Sequence, residues 1–102
     1  MVILQMTFEE YLQSVEKEQP PEISLYLDSL WYDKKGNWDE AHQIAQDLDD
    51  KYGSWIHAYL HRVEGDNWNA KYWYDRAGRS MPSKLIESEW EDLVRYFLEK
   101  SL

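Results

Sequence analysis

Apolar residues recur at three- and four-residue intervals along most of this chain, and glycine or proline interrupts the pattern. The spacing predicts six helices. The first opens at Thr7, with Glu10 three residues on as a capping box, and carries Phe8, Tyr11, Leu12 and Val15 as a stripe before Pro20-Pro21. A second spans about Glu22 to Lys35, with Ile23, Leu27, Leu30 and Trp31 inward, and Gly36-Asn37 ends it. The third runs from Trp38 to about Lys51 on Ala41, Ile44, Ala45 and Leu48, with Gly53 as its stop signal. The fourth, Ser54 to Glu64, ends at Gly65-Asp66, and the fifth, about Trp68 to Ala77, turns Ala70, Trp73, Tyr74 and Ala77 to one side. Ser83 is a candidate cap for the last helix, where Ile86, Trp90, Leu93, Val94 and Phe97 repeat at helical spacing. Residues 2–4 admit an extended segment, but nothing else alternates convincingly enough to pair with it.

Two of the junctions repeat. Gly36-Asn37-Trp38-Asp39-Glu40-Ala41 aligns with Gly65-Asp66-Asn67-Trp68-Asn69-Ala70 at an offset of 29 residues. In each copy a helix ends at glycine, a polar residue starts the turn, and an alanine follows five positions after the glycine, where a small side chain lets helices approach closely. Over residues 25–79 this resembles the helical hairpins of tetratricopeptide and Sel1-type repeats. The offset is shorter than the 34 residues or so usual for such repeats, and two copies are too few for a solenoid. With the six predicted helices, the resemblance implies an all-α fold, a compact bundle of about six helices with two tetratricopeptide-like hairpins, and a length of 102 residues makes it one domain over residues 1–102. The string from His57-Ala58 through Leu60-His61-Arg62, Glu64-Gly65-Asp66 and Asn69-Ala70 to Tyr72-Trp73-Tyr74 and Arg76-Ala77-Gly78 also resembles a family of small microbial all-α proteins. That likeness implies a fold and no catalytic residue.

Composition narrows the function classes. The net charge is −9, which argues against a nucleic-acid partner, whose binding rests on neutralising phosphates. No apolar run approaches the ~20 residues of a membrane span, and the start of the chain lacks the basic region of a signal peptide. The absence of cysteine excludes disulfides and thiolate metal sites and suits the cytoplasm. Six Trp and eight Tyr against two Phe is an unusual balance. Trp and Tyr carry a polar handle, and we expect several of them to line a groove or contact surface. The one locally basic stretch, Arg62, Lys71, Arg76, Arg79 and Lys84, overlaps the aromatic segment; it suits a small anion or an acidic peptide, or is ordinary surface charge.

Two constellations carry possible chemistry. His57, His61 and Glu64 lie at i, i+4 and i+7, within about 60° of helical arc, a spacing compatible with metal ligation. His42 joins them if the third helix packs alongside. The alternatives are histidines hydrogen-bonded within a helical interface, or a pH-responsive contact. Asp66 or Asn67 is a candidate cap for the fifth helix, and Asn69 a candidate for binding backbone across the hairpin. Trp68, Tyr72 and Arg76 lie along the flank of the fifth helix away from its inward face; they pack against the last helix, form a protein or peptide contact surface of the aromatic-plus-arginine kind, or hold a small ligand.

The leading expectation is a non-enzymatic protein- or peptide-interaction domain, with His57, His61, Arg62, Trp68, Tyr72 and Arg76 facing the partner across a groove of helices two, four and five. It requires no cofactor, no nucleic acid and no membrane, and it leaves self-association open. The alternative is a metal-dependent or acid/base enzyme built on His42, His57, His61 and Glu64.

Overall fold

Helix-end chemistry sets the architecture. A computed structural model describes residues 6–100 as six helices and, among those residues, no strand. They are α1 (Phe8–Ser14), α2 (Leu25–Lys34), α3 (Trp38–Asp47), α4 (Lys51–Val63), α5 (Asn67–Ala77) and α6 (Ile86–Lys100). The protein is all-α, as its periodicity predicts. The extended segment considered at residues 2–4 lies outside the described residues. Thr7 and Glu10 form the expected capping box, each side chain meeting the other's backbone N–H.

The two repeated junctions fold alike. Gly36 and Gly65 both take positive φ, 94° and 85°, a conformation that costs glycine little. The next residue, Asn37 or Asp66, caps the following helix by accepting from the N–H of Glu40 or Asn69. The amides of Asn37 and Asp66 reach back to the carbonyls of Tyr32 and His61, at 2.8 and 2.9 Å. Ala41 and Ala70 are both fully buried. The chain thus contains two helical hairpins, α2–α3 and α4–α5, closed by the same turn.

Four helix boundaries differ from those the spacing predicts. The third helix stops at Asp47, and α4 begins at Lys51 with Asp50 as its N-cap, so Gly53 sits inside a helix rather than ending one. Gly53 is needed for space: a Cβ there would collide with the carbonyl oxygen and Cβ of Leu48 in the connection that folds over the helix start. The second helix begins at Leu25, capped by Ser24, which leaves Ile23 exposed outside it. The last begins at Ile86, beyond Ser83.

Helix α4 is the hub. Residues Gly53 to His61 are all buried, and the helix touches α2, α3, α5 and α6. A helix enclosed all round cannot present a single apolar stripe, which is why its polar residues also end up inside. Several indole and phenol handles pin the helices together. Trp90 Nε1 donates to the Leu30 carbonyl at 3.0 Å, Trp31 Nε1 to Ser14 Oγ at 3.2 Å, and Trp38 Nε1 to the Leu60 carbonyl at 2.8 Å. The Tyr11 hydroxyl donates to the Leu27 carbonyl at 2.5 Å and Tyr59 to Asp33 at 2.7 Å. Such bonds repay the cost of burying polar atoms and fix which helix faces meet. Among the described residues, no fully buried side-chain polar atom lacks a partner, and no helix is long and apolar enough to cross a membrane.

Candidate functional site

Helices α3 and α5 both pack against α4, and the three histidines of the chain meet where α3 lies on α4. His57 and His61 sit one turn apart on α4, while α3 brings His42 against them. His42 Nε2 and His57 Nε2 are 2.9 Å apart. A ring nitrogen of each histidine lies within 4.8 Å of one on both others. His57 and His61 retain 5% and 9% of their surface, and His42 is half-buried, so the cluster opens to solvent on the α3 side.

Flat partners hold the rings. Trp38, one turn before His42 on α3, stacks on it at 4.7 Å between centroids and 14°. Trp73 of α5 stacks on His57 at 3.9 Å and 18°. His61 donates from or accepts at Nδ1 with Glu64 Oε1 at 2.7 Å, which leaves its Nε2 for other use. Burial, and then the neighbouring His61, holds the His42 pKa below its ordinary value. Burial, followed by His42 and His61, pushes His57 down to about 3. Two of the three imidazoles are thus neutral at physiological pH, the state in which a ring nitrogen can accept a proton or a metal ion.

Asp66 comes close to His61 and Glu64 but is committed to the cap of α5. Its two oxygens accept from the backbone N–H and the side-chain Nδ2 of Asn69, at 3.1 and 2.7 Å. The hydrogen bond from Asn69, with further help from His61, holds the Asp66 carboxyl below its usual range. Asn69 is therefore occupied within its own turn instead of reaching across the hairpin.

The six residues expected to face a partner divide into three groups. His57 and His61 are enclosed with His42. Arg62 is also turned inward: its guanidinium donates to Glu89 at 2.8 Å and to the Lys84 carbonyl. Only Trp68, Tyr72 and Arg76 remain outside. Trp68 is 81% exposed and Tyr72 48%, and neither packs on α6, where Trp90 and Phe97 are buried in the core. Their position on α5 explains this: Ala70, Tyr74 and Ala77 fill the inward face, so the opposite flank meets no other helix. The Arg76 guanidinium lies over Tyr72 and Trp73, 5.8 and 5.3 Å from the ring centres, and makes no ion pair among the described residues.

The basic stretch is largely neutralised internally, with Arg62 paired to Glu89, Lys71 to Asp75 and Lys84 to Asp92. Arg79 stacks on Trp55, its guanidinium carbon 3.4 Å from the ring centre. Sequence reasoning missed the part played by Trp38 and Trp73 as walls of the histidine cluster. Trp38 precedes His42 by four residues, a spacing that puts both on one helix face; the Trp73–His57 stack crosses between helices and has no local signal. In comparisons with protein families, with curated proteins and with solved structures, nothing matches the chain.

Proposed function

We propose that the protein is a non-enzymatic contact domain that binds a protein or peptide segment across the outer flank of α5. One observation carries this reading: Trp68 stands 81% exposed on a helix whose other side is fixed in the core, with Tyr72 beside it. Leaving an indole in water forgoes a burial worth about 1.5–3 kcal/mol for a large apolar side chain, and exposed aromatics beside arginine are typical binding hot spots. Arg76 supplies a cation that has no carboxylate partner among the described residues. The partner this favours carries an apolar or aromatic side chain for Trp68 and a carboxylate for Arg76. The shared turns of the α2–α3 and α4–α5 hairpins support describing the scaffold as tetratricopeptide-like, and the cysteine-free, acidic composition supports a cytoplasmic setting without nucleic acid.

The test is capture of a partner by the full chain, followed by calorimetry with Trp68→Ala plus Arg76→Ala. The expected result is a partner whose affinity falls at least tenfold in the double variant while circular dichroism is unchanged. Absence of any partner, or binding indifferent to both substitutions, removes the reading. Light scattering in the same experiment identifies a second copy of the chain as the partner. A second reading, metal-dependent or acid/base chemistry, is favoured by the convergence of His42, His57 and His61; its precondition is that these rings hold a cation.

A further inference from the structure

We infer that His42, His57 and His61 form a site for one borderline divalent transition-metal ion of the zinc class, with three imidazole ligands and a further position facing solvent. The inference is independent of the α5 contact surface. It stands on convergence, donor chemistry and the support behind the ligands.

The convergence is quantitative. Metal–nitrogen bonds of about 2.0–2.1 Å place two ligand nitrogens about 2.9 Å apart at a right angle and about 3.3 Å apart at the tetrahedral angle. His42 Nε2 and His57 Nε2 are separated by 2.9 Å, already within that range. A ring nitrogen of His61 lies inside the 4.8 Å limit that encloses all three residues, and rotation about the broad χ2 of histidine turns that ring toward the shared point.

The donor set selects the ion. Three imidazoles and no thiolate suit zinc, cobalt, nickel or copper and disfavour calcium or magnesium, which require oxygen. The His42–His57 pair need lose no net proton on binding. In the hydrogen-bonded pair, one of the two Nε2 atoms carries a hydrogen; shifting that hydrogen to Nδ1 of the same ring frees both Nε2 lone pairs.

The surroundings match what ligating histidines require. A ligand imidazole characteristically gives its second nitrogen to a carboxylate, which fixes the ring's tautomer and orientation. Glu64 Oε1 stands 2.7 Å from His61 Nδ1, so His61 ligates through Nε2, and Glu64 is a positioning residue. Trp38 and Trp73, stacked on His42 and His57, limit the rotation of the other two rings. Asp66 is occupied by Asn69 and is not a ligand. His42 is the half-exposed member, and the position beyond it faces water. Three histidines with an open fourth position are the arrangement in which a zinc ion can bind water or a substrate atom.

A hydrogen-bonded pair alone is the competing account. It uses His42 and His57 and gives no role to His61 Nε2 or to the carboxylate behind that ring. The experiment uses untagged full-length protein titrated with Zn²⁺, with Co²⁺ as the optical probe. The expected result is saturation at one ion per chain at micromolar metal, a rise in melting temperature with Zn²⁺, and visible absorption from Co²⁺ in a low-coordinate nitrogen site. His42→Ala, which removes the least buried ligand, should abolish saturable binding with the helical spectrum retained. Glu64→Gln should weaken binding by about 10–100-fold, the range for a residue supporting a ligand. Trp68→Ala plus Arg76→Ala should leave metal binding unchanged. Absence of stoichiometric uptake, or uptake that survives His42→Ala, overturns the proposal. If His57→Ala or His61→Ala does not fold, the imidazole ¹⁵N shifts of the native protein decide instead: all three rings must move on addition of one equivalent of Zn²⁺, and a response from two or fewer overturns it.

Discussion

Replacing Glu89 by alanine should cost the fold about 3–5 kcal/mol, although the side chain belongs to an acidic helix on an acidic protein. Glu89 is 3% exposed and lies where α4, α5 and α6 meet. It accepts from the Tyr74 hydroxyl at 2.6 and 2.8 Å and from the Arg62 guanidinium at 2.8 Å. Burial, reinforced by the hydrogen bond to Glu89, pushes the Tyr74 pKa well up, so the phenol remains a donor. Removing the carboxylate leaves Arg62, only 13% exposed, without its counter-charge, and breaking a buried pair from one side costs about 3–5 kcal/mol. The freed Tyr74 hydroxyl would add about 1–3 kcal/mol if nothing replaced its acceptor, but water entering beside Arg62 offsets part of this, so the total stays near the range for the pair. By contrast, the exposed Lys71–Asp75 pair should be worth about 0–1 kcal/mol. The assay is urea unfolding followed by tryptophan fluorescence, with the slope checked to be unchanged. Glu89→Gln keeps an acceptor for Tyr74 but strands Arg62, so adding Arg62→Met to it should recover at least about 1 kcal/mol, a coupling measured by the double-mutant cycle. A Glu89→Ala cost below about 1 kcal/mol, or no recovery in the double variant, would refute the argument that this network ties the three helices together.

Other outcomes follow from the same structure. Gly53→Ala should destabilise the protein by about 1–3 kcal/mol by thermal melting, because overpacking against Leu48 outweighs the roughly 1 kcal/mol that alanine gains in a helix; a stabilised variant would show that the connection before α4 yields easily. Asn37→Ala and Asp66→Ala should each cost about 1 kcal/mol, and by similar amounts, since they cap equivalent turns; the comparison is made by chemical denaturation. Without metal, stability should fall as pH drops from about 6.5 toward 3. His57 stays neutral in the fold down to about 3, with His42 from α3 and His61 on its own helix facing it, while the unfolded chain takes up a proton near 6.5. At about 1.4 kcal/mol per unit the loss amounts to a few kcal/mol, and His57→Gln should flatten the pH profile of the melting temperature; a native profile that is already flat would contradict the enclosure of this ring.

The hairpin turns were legible because their determinants are local. A glycine, a cap and an alanine at fixed offsets are enough to define how Tyr32 to Ala41 and His61 to Ala70 fold. The boundary between α3 and α4 was not legible, because Gly53 is required by a contact with Leu48 that only the folded connection creates. The shared face of His57, His61 and Glu64 follows from helical periodicity, whereas the arrival of His42 and the stacking of Trp73 depend on how three helices pack. Arg62 illustrates the same limit. Its place in a basic stretch pointed outward, and only the position of Glu89, 27 residues later, turns it into the core. The exposure of Trp68 and Tyr72 was open between two outcomes until the inward face of α5 proved to be filled by Ala70, Tyr74 and Ala77.

The central claim is that α3 and α4 aim three scarce histidines at one point. Diffraction at the zinc absorption edge from crystals of the untagged protein grown with one equivalent of Zn²⁺ addresses it directly. The account predicts one anomalous peak per chain, about 2.0–2.1 Å from His42 Nε2, His57 Nε2 and His61 Nε2, with Glu64 on the far nitrogen of His61. Imidazoles that diverge, or zinc found only at surface carboxylates, would contradict it.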